Sequence, residues 1–171
     1  MTMGLLQGKR ALVMGVANER SIAWGIASAL AAQGAELAFT YQGEAFGKRV
    51  ELLAASVGSD LLLDVDVTDD ESLDAAFATL AERWGRLDIL VHAIAFSSKE
   101  ELTGRFVDTS RANFKNSLDI SCYSLIEVAR RSRPLMSGGG TILSLTYAGS
   151  NRVTPFYHVM GVAKAALESA V

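Results

Sequence analysis

The sequence predicts an α/β fold, a doubly wound parallel sheet with helices on both faces. Short apolar segments of strand length alternate with longer segments of helical period along most of the chain. Half of the 171 residues are hydrophobic, with 15 glycines and 2 prolines, which is typical of compact α/β proteins. No internal repeat, low-complexity segment or linker interrupts this alternation, so we expect one domain over residues 1–171.

The first third of the chain predicts two strands and two helices. Residues 10–16 form a short apolar run, which indicates the first strand, and residues 21–33, rich in Ala, Ile and Leu, indicate a helix. Gly34 follows this helix at the position where a left-handed cap is favoured. A second strand is expected at residues 35–40 and a second helix at residues 45–57.

The middle of the chain continues the same order. Alternating apolar residues predict a third strand at residues 61–67, and a helix follows at residues 69–84, closed by Gly85. A fourth apolar run at residues 87–93 is the next strand. Strands separated by helices in this way indicate parallel pairing through right-handed crossovers.

The remaining segments predict a long helix at residues 109–133, stopped by Pro134, and a fifth strand at residues 141–146. A last helix begins at about Tyr157. The chain stops at Val171 inside this helix without a cap, so we expect the domain to be truncated and its C-terminal strands to be missing.

Charge and cysteine content exclude several classes of protein. Sixteen basic and 19 acidic residues give a net charge of −3, which provides no electrostatic basis for binding nucleic acid or an anionic membrane. Cys122 is the only cysteine, which excludes an intrachain disulfide and favours a reducing compartment. No signal-peptide or membrane-spanning run is present, and His92 and His158 lack zinc-ligand spacing. We therefore expect a cytoplasmic domain without a metal site.

The first turn of the sheet is a candidate dinucleotide site. Gly15 ends the first strand and permits a close backbone approach, while Ser21 can cap the following helix or donate to a phosphate. The pattern G-x-G-x-x-G is not met, because only Gly15 and Gly25 are available. An ordinary turn with a serine cap is an equal alternative to a Rossmann-type diphosphate site.

Two polar residues follow the second and third strands. Gln42 stands where a dinucleotide-binding fold often places an acidic residue for the adenosine ribose. Its neutrality favours NADH over NADPH, although nearby Lys48 and Arg49 leave NADPH open. The Asp66 carboxylate is placed to accept from the adenine amino group, and a simple turn or capping role is an equal alternative.

Tyr157 and Lys164 are the candidate catalytic pair. Seven residues are about two helical turns, so both side chains share one face about 10 Å apart along the axis. A cation in a low-dielectric site favours the phenolate, so we expect Lys164 to lower the pKa of Tyr157. Tyr147 precedes the pair by ten residues. A surface lysine beside two half-buried tyrosines is the alternative interpretation.

These signals occur together in one family. The order Gly15…Ser21-Ile22-Ala23, Thr40-Tyr41-Gln42, Asp66-Val67, His92-Ala93-Ile94-Ala95-Phe96 and Tyr147-x9-Tyr157-x6-Lys164 resembles that of the bacterial enoyl-acyl-carrier-protein reductases. These are divergent members of the short-chain dehydrogenase/reductase superfamily. The most specific element is Tyr-x6-Lys, because ordinary members carry Tyr-x3-Lys and position 161 is glycine here. The resemblance covers essentially the whole chain.

The resemblance implies NADH-dependent reduction of a trans-2-enoyl thioester on acyl carrier protein, in fatty-acid elongation, by a homotetramer. It implies cofactor contacts at Gly15, Ser21, Ile22, Gln42, Asp66, Val67, Ile94 and Lys164. Lys164 would hydrogen-bond the nicotinamide ribose, Tyr157 the thioester carbonyl, and Ser97 would face the substrate. Tyr147 would occupy the proton-transfer position, with water as the alternative donor.

The chain departs from the family in two respects. The family commonly reads Pro-Asn-Tyr-Asn where this chain has Pro155-Phe156-Tyr157-His158. Family members also continue for about another third of their length.

A carbonyl-reducing member of the superfamily and a non-catalytic dinucleotide-binding module are the alternative functions.

Overall fold

The structure, a computed structural model, describes residues 4–171. Its sheet contains β1 (Arg10–Met14), β2 (Glu36–Tyr41), β3 (Leu61–Asp64), β4 (Ile89–His92) and β5 (Thr141–Ser144). The strands lie in the order β3-β2-β1-β4-β5, and every neighbouring pair is parallel. The chain direction across the sheet reverses between β1 and β4, which is the switch point of a Rossmann-type sheet. The predicted fold class is confirmed.

Within residues 4–171, six α-helices accompany the strands: α1 (Ile22–Ala32), α2 (Gly43–Ser56), α3 (Asp70–Trp84), α4 (Arg111–Leu118), α5 (Ser124–Ser132) and α6 (His158–Ser169). Asp69 caps α3, because its side chain accepts from the Glu71 N–H at 3.0 Å. Gly34 and Gly85 have φ of 88° and 68°, so both predicted glycine stops adopt the left-handed conformation that ends a helix.

Both faces of the central strand β1 are covered. Ala11 and Val13 lie on one face in a buried cluster that includes Phe39 of β2. Leu12 and Met14 point to the other face and are also buried. Burial on two sides explains why a parallel strand reads as a continuous apolar run rather than an alternating one.

The predicted helix at residues 109–133 is wrong in its interior. It divides into α4, a π-helical segment (Asp119–Tyr123) and α5, and a 3₁₀ turn (Arg133–Met136) follows. The Ser124 hydroxyl donates to the Ile120 carbonyl at 2.6 Å beside the π-helical turn. Pro134 is accommodated at the start of the 3₁₀ turn, where its missing N–H is not required.

The third strand is shorter than the predicted residues 61–67. It ends at Asp64, whose carboxylate accepts from the Gly43 N–H at 2.9 Å. Asp66 then closes a turn by accepting from both the N–H and the hydroxyl of Thr68. The turn at Asp66 ends the strand early and explains why the alternating apolar pattern overestimated the length of β3.

The described residues divide into two compact units, and the single domain expected over residues 1–171 stays a prediction. One unit runs to Ala93 and resumes over Ala129–Ser144, and the other comprises Ile94–Val128 and Leu145–Val171. Residues 1–3 of the predicted domain lie outside the described residues. None of the helices in residues 4–171 combines the length and apolar character that crossing a bilayer requires.

Candidate active site

Gly15 shapes the first turn after β1. Its φ is 93°, and a β-carbon there would overlap the carbonyl oxygen of Ala93, which follows β4. The Ala93 N–H donates to the Met14 carbonyl at 3.1 Å, so the two strand ends are held together. Only glycine satisfies both the conformation and the close approach.

The start of α1 presents unpaired donors. The Ser21 hydroxyl donates to the Asn18 carbonyl at 2.7 Å and accepts from the Trp24 N–H at 3.4 Å, so Ser21 caps the helix. Within residues 4–171, the N–H groups of Ile22 and Ala23 have no acceptor. The Ile22 side chain is 69% exposed. Free N–H groups at the positive end of a helix are the donor set that a diphosphate requires.

Gln42 and Asp66 meet at the carboxyl ends of β2 and β3. The Gln42 Nε2 donates to Asp66 Oδ2 at 2.9 Å, and Thr68 donates twice to Asp66 Oδ1, at 2.7 and 2.9 Å. The Thr68 hydrogen bonds, with a smaller contribution from Gln42, lower the pKa of Asp66 below its ordinary value. Val67 is half-buried beside them. The contact between these three residues and the adenosine of a dinucleotide stays a prediction.

In the other unit, the segment after β4 is held by a polar stripe on the following helix. Asn113, Ser117 and Ser121 are buried and occur at intervals of four residues, so they share one helix face. Asn113 Oδ1 accepts from the Ser98 N–H at 2.9 Å. Ser121 Oγ accepts from the Phe96 N–H at 3.0 Å and donates to the Phe96 carbonyl at 3.1 Å.

The Ser97 hydroxyl is hydrogen-bonded to this stripe. It accepts from the Ser117 hydroxyl at 2.9 Å and from Asn113 Nδ2 at 3.2 Å. Ser97 is therefore held through its side chain, and its contact with a substrate stays a prediction. Ile94, which directly follows His92 and Ala93, is half-buried. The three stripe residues were missed from sequence: their spacing of four places them on one helix face, but it does not show that this face is buried.

Tyr157 stands at the N-terminus of α6 rather than within it. It occupies the cap position, between Phe156 with φ 59° and His158 with φ 35°. Its ring meets that of Tyr147 edge to face, with centroids 4.9 Å apart. Tyr147 is 51% exposed, whereas Tyr157 is half-buried.

The pKa of Tyr157 is raised above its ordinary value, mainly by burial and also by Tyr147. The expectation that Lys164 lowers this pKa is therefore wrong.

Lys164 is 6% exposed, and its ammonium donates to the Leu145 carbonyl at 2.7 Å. Burial lowers the pKa of Lys164, and Cys122 partly opposes this shift. The phenol of Tyr157, at the N-terminus of α6, is thus protonated, and the lysine within α6 is desolvated.

Gly149 and Gly161 pack closely beside Tyr157 and α6. A β-carbon at Gly161 would lie 2.6 Å from the Gly149 carbonyl oxygen, and one at Gly149 would overlap the ring of Tyr157. Both distances are below those that real side chains adopt. Position 161, four residues after the tyrosine, is closed to lysine, and position 164 is the next one that carries a cation.

His92 is a packed side chain at the end of β4. His92, the last residue of β4, is fully buried, with its Nδ1 3.0 Å from the Ser144 hydroxyl. It is a polar group packed at the end of a strand. Among the residues that the structure describes, no three His, Cys, Asp or Glu side chains gather as metal ligands would.

The parallel sheet, the glycine turn at its switch point, and the Tyr-Lys pair around α6 define the class of short-chain dehydrogenases/reductases. The family model for enoyl-(acyl carrier protein) reductase matches residues 15–171. The NADH-dependent enoyl-[acyl-carrier-protein] reductase 2 of Rhizobium meliloti is 64% identical over 168 residues, which are 98% of this chain and 63% of that protein. The chain belongs to the enoyl-acyl-carrier-protein reductase family.

Solved structures agree with this assignment. The reductase of Anaplasma phagocytophilum, solved with NAD, is 55% identical with a TM-score of 0.96, over 99% of this chain and 65% of that one. The Bacillus cereus reductase, solved with NADP+ and indole naphthyridinone, is 50% identical with a TM-score of 0.97, over 99% and 66%. The chain therefore spans just under two thirds of the length of these relatives.

Proposed function

We propose that the complete protein reduces the trans-2 double bond of an enoyl thioester carried on acyl carrier protein, using NADH, in fatty-acid elongation. The observation that carries this proposal is the pair Tyr157 and Lys164, with Gly161 closed to the lysine of carbonyl-reducing superfamily members. The relatives at 64% and 54% identity are named as NADH-dependent enoyl reductases. The proposal concerns the complete protein because this chain spans 63% to 65% of those relatives.

Tyr157 acts as a hydrogen-bond donor to the thioester oxygen. Burial and Tyr147 raise its pKa, so the phenol keeps its proton at neutral pH. A protonated phenol stabilises negative charge where it develops on the carbonyl oxygen during conjugate reduction. The raised pKa therefore suits a donor better than the phenolate that spacing alone suggested.

Lys164 positions the cofactor's ribose. An ammonium has three donors, and the Leu145 carbonyl engages one of them. The other two are available to ribose hydroxyls, while the anchor to Leu145 fixes where the cation stands. Near-complete burial strengthens these hydrogen bonds, because the local dielectric is low.

Tyr147 is assigned to proton delivery. Its ring contacts Tyr157 and is half exposed, so its hydroxyl can exchange protons with solvent. Protonation of the resulting enolate by water is the alternative. Tyr147→Phe distinguishes them, because loss of proton delivery lowers kcat, whereas direct protonation by water leaves kcat unchanged.

NADH supplies the hydride. The residues proposed to hold it are the first-turn group Gly15, Ser21 and Ile22, the adenosine group Gln42, Asp66 and Val67, and Ile94 and Lys164. The free N–H groups at the start of α1 support the first assignment, and the Gln42–Asp66 hydrogen bond supports the second. Ser97, fixed by α4, is proposed to face the substrate.

We further propose that the protein is a cytoplasmic homotetramer in which α4, α5 and α6 form a subunit interface. Partly exposed apolar side chains on the first two of these helices and the π-helical turn between them support this, namely Phe114, Tyr123 and Ile126. The one cysteine of the chain, Cys122, is free and buried, as suits a reducing compartment. Light scattering of the complete protein measures its assembly.

The testing experiment measures NADH oxidation by the complete protein with crotonyl thioester. We expect turnover in the wild type, a fall of about 100-fold or more in kcat for Tyr157→Phe, and weakened NADH binding for Lys164→Ala. Unchanged turnover in Lys164→Ala would overturn the assignment. A preference for ketoacyl over enoyl thioesters would instead identify a carbonyl reductase, and nucleotide binding without turnover would identify a binding module.

A further inference from the structure

We propose that Asp66 is a positioning residue for cofactor selectivity: by holding the amide nitrogen of Gln42, it leaves the amide oxygen to face the adenosine ribose and favours NADH over NADPH. The proposal rests on the proposed function only in placing the ribose beside Gln42. Its atomic basis lies in the contacts between the ends of β2 and β3.

The orientation of the Gln42 amide follows from the chemistry of its partner. An ionised carboxylate only accepts hydrogen bonds, so the group that faces Asp66 Oδ2 at 2.9 Å is the amide NH₂. Thr68 fixes the carboxylate by donating twice to Oδ1. The same hydrogen bonds lower the pKa of Asp66 and keep it ionised at neutral pH. The amide is thus oriented by a charge that is itself held in place.

The oxygen of the Gln42 amide is then the group left for a ligand. Gln42 occupies the cap position of α2, yet its side chain makes no capping hydrogen bond. Within residues 4–171, its Oε1 has no donor. An oxygen acceptor matches the 2′-hydroxyl of NADH, which can donate. It repels the 2′-phosphate of NADPH, which is an anionic acceptor at neutral pH.

The carboxylates at the start of α2 oppose a phosphate as well. The N-terminus of α2 would ordinarily attract an anion, but Asp64 already accepts from the Gly43 N–H at 2.9 Å. Glu44 follows in the first turn, and Lys48 forms an ion pair with it at 2.7 Å. The carboxylates of Asp64, Asp66 and Glu44 therefore lie at or next to the start of α2, and Lys48, the one lysine of this helix, is already paired. The Gly43 N–H, which could otherwise bind a 2′-phosphate, is therefore already hydrogen-bonded to Asp64.

The test is Asp66→Asn in the complete protein. The Asn side chain keeps an oxygen for Thr68 and presents an NH₂ to Gln42, so the Gln42 amide turns over and points its own NH₂ toward the ribose. We expect the ratio of NADPH to NADH affinity to rise about tenfold. Calorimetry with NADH and NADPH measures this directly, and kcat/KM with each cofactor gives a second readout.

Asp60→Asn is the matched control. Asp60 is an exposed carboxylate that pairs with Arg83 just before β3, at the opposite end of the strand. The Asp60→Asn variant loses the same charge, but Asp60 does not contact Gln42. We therefore expect its ratio of NADPH to NADH affinity to equal that of the wild type. Equal shifts in the two variants would show a general charge effect and overturn the proposal.

A double-mutant cycle separates orientation from local charge. In a Gln42→Ala background no amide remains to turn over, so Asp66→Asn should change the cofactor ratio much less than in the wild-type background. An equal change in both backgrounds, or none in either, overturns the proposal. Binding ratios are measurable whether or not the enoyl thioester is reduced, so failure of the proposed function is detected separately by absent turnover in the wild type.

Discussion

A side chain at Gly161 would collide with the backbone of Gly149, because its β-carbon would lie 2.6 Å from that carbonyl oxygen. The contact joins the 3₁₀ turn Ala148–Ser150 to α6. It gives a packing reason for the absence of lysine four residues after Tyr157. The backbone contact therefore disfavours any side chain, lysine included, at position 161.

Gly161→Ala should destabilise the protein by about 1–3 kcal/mol, because the obstructing atom is backbone and must shift. Gly25→Ala is the control: Gly25 also lies within a helix, but its β-carbon would meet open space. That change should be neutral or stabilise by up to about 1 kcal/mol. Denaturant unfolding of both variants without cofactor measures the difference, and equal effects would contradict the packing argument.

Lys164→Met should change how stability depends on pH. The lowered pKa of Lys164 means that, between its folded value and the unfolded value of 10.5, the unfolded state binds more protons. The free energy of unfolding of the wild type therefore increases, relative to that of Lys164→Met, as the pH rises through this window. The increase is lost as the pH falls back to the folded pKa. Unfolding midpoints across alkaline pH measure the gain. Parallel curves for the two proteins would contradict it.

Asn113→Ala should weaken the segment after β4. It removes the acceptor of the Ser98 N–H and the donor to Ser97 Oγ from a buried position, which costs about 1–3 kcal/mol. In the complete protein we expect a higher KM for the enoyl thioester with unchanged NADH affinity. Asn116 is an exposed residue on the same helix. Asn116→Ala should change neither the stability nor the KM for the enoyl thioester. An equal loss in both variants would mean that the stripe does not position Ser97.

Phe156→Asn should stabilise the protein by about 1 kcal/mol. Phe156 and His158 both have positive φ, where asparagine is tolerated better than most residues. The pattern Pro-Asn-Tyr-Asn, which the resemblance implies here, has asparagine at these two positions. Thermal unfolding of Phe156→Asn and of the double variant with His158→Asn measures the effect. Phe156→Val, which is β-branched, should be destabilising, and a stabilising valine would refute the backbone explanation.

Local chemistry made much of the fold predictable. Gly34 and Gly85 end their helices in the left-handed conformation that glycine favours, and all five strands occur close to their expected positions. The π-helical turn at Asp119–Tyr123 gave no comparable signal, because a single shift in hydrogen-bond register leaves helical periodicity almost unchanged.

The candidate site was predictable in composition but not in its electrostatics. Spacing identified Tyr157 and Lys164, yet it could not show that burial raises one pKa and lowers the other. The stripe residues Asn113 and Ser117 were missed because polar residues at helical spacing usually indicate a solvated face. Only the structure shows the Ser97–Ser98 segment lying over them.

The burial of Cys122 has a consequence for covalent inhibition. Desolvation raises the pKa of its thiol, and the nearby Lys164 ammonium offsets this only in part. Thiolates rather than thiols attack electrophiles, so the native helix keeps this sulfur in its unreactive form. An electrophilic warhead directed at this chain would find its one sulfhydryl protonated and shielded, and reversible ligands are the better starting point.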